Sequence, residues 1–348
     1  MSTIVITGIT GQMGYFLAKK AIEDDKISKI VGVARYSANL DKKFQDRKDI
    51  INSKKFELRI ANLEDQASLD GIVCDYKPEY FVNCAAMSHV GESWKIPEAT
   101  CNITGIGVLR CLEAIRKYNK ECIFVQMSSS EMFGRESDGK INENSKLSAR
   151  SPYGAAKILG HQLVRVYRES YNIKAYSAIC FNYESFKRSG DFITRKITKG
   201  MADIFEGKLD KIRLGNINFV RDWGYAGDYA DAIFKMLYSN KPDDYVVATG
   251  KMTTGREFID KCFSYANQIL SNTIYTDDMF KFDKHIETKT QENIRPNDLI
   301  WLCGDNSKIV NELGWTPKYT VDMIVKEMLD FDFKPLVDER LKLQREPQ

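Results

Sequence analysis

Tyr153 and Lys157, four residues apart in Ser151-Pro152-Tyr153-Gly154-Ala155-Ala156-Lys157, are residue types that together can make a base. A phenol holds its proton to about pH 10, so at neutral pH it is a poor base by itself. An ammonium one helical turn away favours the phenolate, and a cofactor cation would add to that. Bringing the phenol to about pH 7 asks for about 4 kcal/mol of such stabilisation, within reach in a partly desolvated cleft. The other concentration of reactive types is just upstream, in Gln126-Met127-Ser128-Ser129-Ser130-Glu131.

Both sets need elements to hold them. Cys122-Ile123-Phe124-Val125 reads as a buried parallel strand, which puts Ser128 to Glu131 at its carboxyl end, the edge where open α/β sheets collect ligands. Ser151-Pro152 reads as a helix start, with a hydroxyl cap and Pro at the first helical position. Tyr153 and Lys157 then share one helix face.

Upstream, strand-like Thr3–Thr7 runs into Gly8-Ile9-Thr10-Gly11-Gln12-Met13-Gly14 and a helical pattern to about Glu23. GxxGxxG between a strand and a helix is a dinucleotide-binding context. Gly8 would make the tight turn, Gly11 would let the backbone approach a pyrophosphate, and Gly14 would let helix and sheet pack closely. No Gly-Lys-Ser/Thr follows, so an ATP-cradling loop is excluded. Arg35 ends the second strand, Ile30–Ala34, where an acidic residue would hold a ribose 2′-hydroxyl and an Arg accommodates a 2′-phosphate. It points to NADP. Further strands are expected at Phe56–Ile60, Tyr80–Ala86 and Ala175–Cys180, and helices from about Asp65, over Ala99–Tyr118 and from Ser151. This alternation predicts a Rossmann-type doubly wound parallel sheet.

After Cys180 the pattern loosens. Asn182–Gly190 reads as a polar loop, Asp191–Phe205 as a helix, and Arg221-Asp222-Trp223-Gly224 precedes a helix to Tyr238 and a strand Tyr245–Val247. The expected organisation is a dinucleotide domain over 1–180 with a segment returning near 224–250, a smaller interleaved substrate-binding lobe from 181–223 and 251–338, and a charged tail at 339–348 that reads as a solvated or frayed helix.

Composition narrows the class. A chain of 348 residues with 43% apolar and 28% charged residues reads as a soluble globular enzyme-sized protein, and a net charge of +3 gives no footprint for nucleic acid or an anionic membrane. No apolar run is long enough to span a bilayer, and a first strand at Thr3 leaves no room for a signal peptide, so a cytoplasmic location is expected. The eight cysteines include no CxxC and read as free thiols; His89, His161 and His285 are too dispersed for a metal site.

Glycine loop, serines and YxxxK in this order resemble the extended short-chain dehydrogenase/reductases. The second half narrows the resemblance. Phe181-Asn182-Tyr183-Glu184-Ser185 with Lys187-Arg188, Phe192-Ile193-Thr194-Arg195-Lys196, Leu214-Gly215-Asn216, Arg221-Asp222-Trp223-Gly224, Asp243–Gly250 and Arg295-Pro296 closely resemble the GDP-mannose 4,6-dehydratases, over most of the chain. The resemblance implies transient oxidation at C4 of a GDP-bound hexose, loss of water across C5 and C6, and reduction at C6. It implies that Tyr153 takes the 4-hydroxyl proton, Ser129 bonds that oxygen, Glu131 removes the C5 proton and helps the C6 hydroxyl leave, and Lys157 keeps Tyr153 ionised. Epimerases of the superfamily lack a carboxylate at the position of Glu131.

The implied cofactor contacts are Gly8, Thr10, Gly11, Gln12, Met13 and Gly14, then Arg35, Asn62, Leu63, Asn83, Ala85 and Ala86, and finally Lys157, Tyr183 and Arg188. Those implied for the GDP-sugar are Met87, Ser88, Ser130, Asn182, Lys196, Asn216, Arg221, Arg295 and Asp298. A homo-oligomer, dimer or tetramer, is implied as well. The chain departs from the family pattern at Met13 and Asn62, where Asp is usual, at Tyr36 and Lys187, where Arg is usual, at Tyr183 for His and at Asp298 for Glu. These positions bear on cofactor preference, assembly and the sugar. The same chemistry on a GDP-manno-heptose, or a GDP-sugar 4-dehydrogenase or epimerase, stays open at this level.

Overall fold

The computed structural model describes residues 2–134, 139–273, 279–288 and 301–345. The apolar runs form strands β1 (Ser2–Thr7), β2 (Ile27–Ala34), β3 (Phe56–Ile60), β4 (Tyr80–Asn83), β5 (Ile123–Ser129) and β6 (Ala175–Cys180). Four shorter strands follow, β7 (Asn182–Glu184), β8 (Ile212–Arg213), β9 (Val220–Arg221) and β10 (Trp223–Tyr225), and then β11 (Asp244–Val247). Seven of these make one sheet, ordered β11-β6-β5-β4-β1-β2-β3, with every neighbouring pair parallel.

Parallel strands need crossovers, and these cover both faces, which is why the central strands are apolar at successive positions. Ile4 and Ile6 pack into one core and Val5 into the core on the opposite face, all fully buried. Between β1 and β4 the crossovers diverge, and this opens the crevice at the carboxyl edge.

The structure departs from the expected elements at Asn182–Glu184 and at Asn102–Ile106. Asn182–Glu184 is a strand, not loop, because it pairs in parallel with Trp223–Tyr225. The expected helix over Ala99–Tyr118 contains a π-turn at Asn102–Ile106 between Pro97–Cys101 and Gly107–Tyr118. The charged tail is helical as expected, in Lys334–Arg345, whose first turns are anchored by the fully buried Val337.

Asp222, fully buried between β9 and β10, ties that region to the sheet. Its carboxylate accepts from Thr249 N at 2.8 Å, Thr249 Oγ1 at 2.6 Å, Gly250 N at 2.8 Å and Gly304 N at 3.3 Å. At the outer edge, Glu143 Oε1 accepts the outward-facing N–H of Val246 in β11 at 2.7 Å. An edge strand otherwise leaves such donors for water or another chain. Glu143→Ala is expected to cost about 1–2 kcal/mol in urea unfolding, since Val246 loses its acceptor. An unchanged midpoint would mean that water replaces the carboxylate.

Candidate active site

The helix Pro152–Tyr171 starts as its sequence demands. Ser151 Oγ accepts from Gly154 N at 3.0 Å and Pro152 holds the first position. Tyr153 and Lys157 face inward, 8% and 5% exposed. Opposite them β5 ends in a short 3₁₀ turn, Ser130–Met132, and Ser129 Oγ accepts the Glu131 N–H at 3.3 Å. What lets helix and strand end meet is Gly154, where a Cβ would stand 2.5 Å from the Glu131 carbonyl oxygen.

Tyr153 is hydrogen-bonded to Ser129. Burial raises its phenol above the ordinary value, and the Glu131 charge raises it further; the Ser129 bond and the Arg188 charge pull it down. Lys157 donates to the Met127 carbonyl at 2.6 Å, and its ammonium stands 5.6 Å from the Tyr153 ring centroid. Burial lowers Lys157 to about 8, against the opposing pull of Cys180 and Cys84. The expected ionisation of Tyr153 is therefore not built into the protein alone, because desolvation outweighs the lowering by Ser129 and Arg188.

These groups open onto a cleft of about 480 Å³. Ser129, Glu131, Tyr153 and Lys157 line it together with Ala86, Ser88, Ser130, Asn182, Tyr183, Arg188, Lys196, Asn216 and Arg221. Residues scattered over more than 130 positions of sequence thus share one cavity (Ala86 to Arg221). Arg221 is buried, donates to the Val220 carbonyl at 2.9 Å and lies 4.9 Å from the Phe219 ring.

Other expected residues sit elsewhere. Gly8, at φ +66°, approaches the β4 end so closely that a Cβ would lie 2.8 Å from Ala85 N, so the glycine loop closes the crevice floor. Gly14 packs against that loop, 2.6 Å from Gly8 O for an added Cβ, and not against the sheet as expected. Gly11 is exposed and caps helix α1 (Gln12–Glu23) with no side-chain bond, leaving bare amides; Thr10 lies half-buried beside it. Gln12 bonds the Tyr183 carbonyl at 3.0 Å and Ser185 Oγ at 2.6 Å.

Met13 and Leu63 are core side chains, so only their backbone can meet a ligand. Asn83 lies beneath the cleft, accepting from Thr7 Oγ1 at 2.5 Å and donating to Gln126 Oε1 at 2.8 Å, and Thr7 Oγ1 in turn accepts from Ala85 N at 3.1 Å. Its side chain supports the crevice and does not line it. Asn62 closes a turn on Glu64, and Met87 N donates to Thr104 Oγ1 at 3.1 Å outside the cleft lining. Arg35 is exposed at the end of β2. Arg295 and Asp298 lie outside the described residues.

Sequence reading missed Glu184 and Arg47. Glu184 is 2% exposed, accepts from Thr194 Oγ1 at 2.6 Å and pairs with Arg188 Nε at 3.3 Å. That holds the Arg188 guanidinium 3.5 Å over the Phe192 ring at the cleft wall. Arg47 donates to Gly11 O at 3.0 Å and Ile9 O at 3.4 Å. No local signal marks Arg47, which sits in a charged stretch that looks like surface. Among the described residues no cluster of His, Cys, Asp and Glu could hold a metal ion, and no helix is long and apolar enough to cross a membrane.

A family model described as GDP-mannose 4,6 dehydratase matches residues 5–328. The chain is similar to GDP-mannose 4,6 dehydratase 1 of Arabidopsis thaliana, 37% identical over 95% of this chain and 89% of that protein. It is 35% identical to GDP-mannose 4,6-dehydratase of Vibrio cholerae over 95% and 93% of the two chains. In fold it is similar to dTDP-glucose 4,6-dehydratase from Bacillus anthracis, solved in complex with NAD, with TM-score 0.79, 20% identity and coverage of 97% and 100%.

Proposed function

The chain belongs to the GDP-mannose 4,6-dehydratase family, and from that premise we propose that it converts GDP-D-mannose to GDP-4-keto-6-deoxy-D-mannose as an NADP-dependent hydro-lyase. One observation carries the reading of the site: Ser129, Glu131, Tyr153 and Lys157 open onto the same cleft as Asn182, Lys196, Asn216 and Arg221. The first four are groups for proton transfer, and the second four suit a diphosphate and a purine edge.

The residues fit a nicotinamide dinucleotide. The glycine loop presents uncapped amides at the start of α1, suited to a pyrophosphate. Lys157 uses one of its three N–H donors on Met127, leaving donors for ribose hydroxyls. A nicotinamide held there would supply reversible hydride transfer, for oxidation at C4 of the hexose and reduction at C6. Tyr153 takes the proton of the 4-hydroxyl, and Ser129 holds that oxygen. With C4 a ketone, the C5 proton is acidic; Glu131 removes it and passes a proton to the departing C6 hydroxyl, which leaves as water, and the proton held by Tyr153 goes to C5 as C6 is reduced, which restores the base. Asn182, Lys196, Asn216, Arg221, Arg295 and Asp298 belong to the GDP-sugar in this reading.

We read 1–180 with the returning segment near 224–250 as the dinucleotide domain, and 181–223 with 251–338 as the GDP-sugar lobe. Arg35 supports NADP over NAD, although the Bacillus anthracis neighbour carries NAD. Arg35→Ala is expected to weaken NADPH about tenfold in a fluorescence titration and to leave NADH unchanged. Equal losses for both would remove Arg35 from the 2′-phosphate site. Exposed Ile106, Leu159 and Val166 form an apolar surface that supports a homo-oligomer, and the eight free thiols support a reducing cytoplasm.

The deciding assay gives purified protein GDP-mannose, and separately GDP-manno-heptose, and follows the alkaline absorbance of a 4-keto-6-deoxy product. Product from GDP-mannose is expected. Product from the heptose alone would move the sugar assignment, and none from either, with NADP⁺ added, would reject the lyase.

A further inference from the structure

The Lys187 side chain is 4% exposed, while its partner Asp46 is half exposed at the protein surface. Its ammonium donates to the Asp46 carbonyl at 2.6 Å and to Asp46 Oδ2 at 2.7 Å. Around it stand the rings of Tyr15, Phe186 and Phe331, at 4.8, 5.2 and 5.7 Å from the nitrogen to the centroids. An ammonium so enclosed interacts more strongly with aromatic faces than one in water. The cage draws together four separate regions: α1, the segment after β2, the segment after β7, and the helix Val321–Asp332 that carries Phe331.

What Lys187 holds is one residue from Arg47. Arg47, 6% exposed, donates to the carbonyls of Gly11 and Ile9, the backbone of the glycine loop. A second strap runs in parallel. Ser185 Oγ donates to Gln12 Oε1 at 2.6 Å and accepts from Lys187 N at 3.1 Å, while Gln12 Nε2 donates to the Tyr183 carbonyl at 3.0 Å. The same short segment sends Tyr183, Glu184 and Arg188 into the cleft wall. The glycine loop is thus held at two carbonyls by Arg47, and at its first helical residue by the segment after β7.

We propose that Lys187 is a positioning residue for the dinucleotide half of the site, setting the glycine loop through Asp46 and Arg47. This rests on the reading of that loop as cofactor-binding. Carbonyls fixed by Arg47 fix the peptide planes of the loop, and with them the directions of its amides. Without the ammonium, Asp46 and Arg47 keep their own bonds but lose the anchor that sets where they stand.

The test is titration of the full chain with NADPH and, separately, with GDP, for the parent and for Lys187→Met, Lys187→Arg and Asp46→Asn. Methionine fills the aromatic cage with an apolar arm of similar reach, removing the charge and both hydrogen bonds. Lys187→Met is expected to weaken NADPH about tenfold and leave GDP affinity at the parent value, with Lys187→Arg restoring NADPH binding. A merely structural lysine would lower the melting temperature and weaken both ligands together or neither, and that result overturns the proposal. Should Lys187→Met not fold, Asp46→Asn decides: weaker NADPH binding supports the proposal, and parent-like binding overturns it. A parent that binds neither NADPH nor NADH rejects the reading of the loop, an outcome separate from a parent that binds while Lys187→Met binds equally well.

Discussion

Glu131→Gln is expected to bind GDP and cofactor as the parent does while turnover falls about a thousandfold. The amide keeps the shape and the main-chain bond from Glu131 N to Ser129 Oγ, so the strand end should not move. It cannot take the C5 proton, so water cannot be lost and no 4-keto-6-deoxy product forms. Oxidation at C4 needs only Tyr153 and its partners, so reduced-cofactor absorbance should build up to a plateau on adding GDP-mannose. A variant that still releases product at the parent rate would show that another group takes that proton. The substitution has a second effect with a definite sign. The Glu131 charge raises the Tyr153 phenol, so removing it makes the phenolate easier to form. The pH dependence of the C4 step should therefore move to lower pH in Glu131→Gln.

Tyr153→Phe is expected to stop the reaction one step earlier. Turnover should fall about a thousandfold or more, with no build-up of reduced cofactor, because nothing takes the 4-hydroxyl proton. Ser129, Lys157 and the cleft wall remain, so GDP binding should hold. The parent's pH profile follows from the two neighbouring groups. Burial raises the phenol, so the base form grows as pH rises through neutrality. Lys157, lowered to about 8, sheds its charge just above that point and with it part of the support for a phenolate. The rate should rise with pH and level off near 8, and the residual rate of Tyr153→Phe should show no such rise. A parent-like profile in that variant would assign the titration to a different group.

How much of this could be read from the chain depends on the range over which each feature is determined. The helix start at Ser151-Pro152 and the strand at Ala175–Cys180 follow from neighbours in sequence, and both stand where expected. The serines at the carboxyl end of β5 and the glycine loop after β1 could be placed on one sheet edge because alternating strands and helices admit few topologies. Recurring residue types at fixed spacing then named the family.

Asn182–Glu184 could not be read locally, since three polar-flanked residues become a strand only by pairing with Trp223–Tyr225, about forty residues on. Nor could the state of Tyr153. Spacing puts a lysine one turn away, but whether the phenol ionises depends on burial and on Ser129, Glu131, Arg188 and Cys180 from other segments, and here desolvation wins. Lys187 and Arg47 look like surface cations in the sequence, yet the Arg47 residue is 6% exposed and the Lys187 side chain 4% exposed. By itself, then, the sequence determined the parallel sheet and the residue types of the site. Tertiary structure alone decided which cations are buried, which carbonyls they hold and where each proton sits, because those depend on desolvation and on partners far away in the chain.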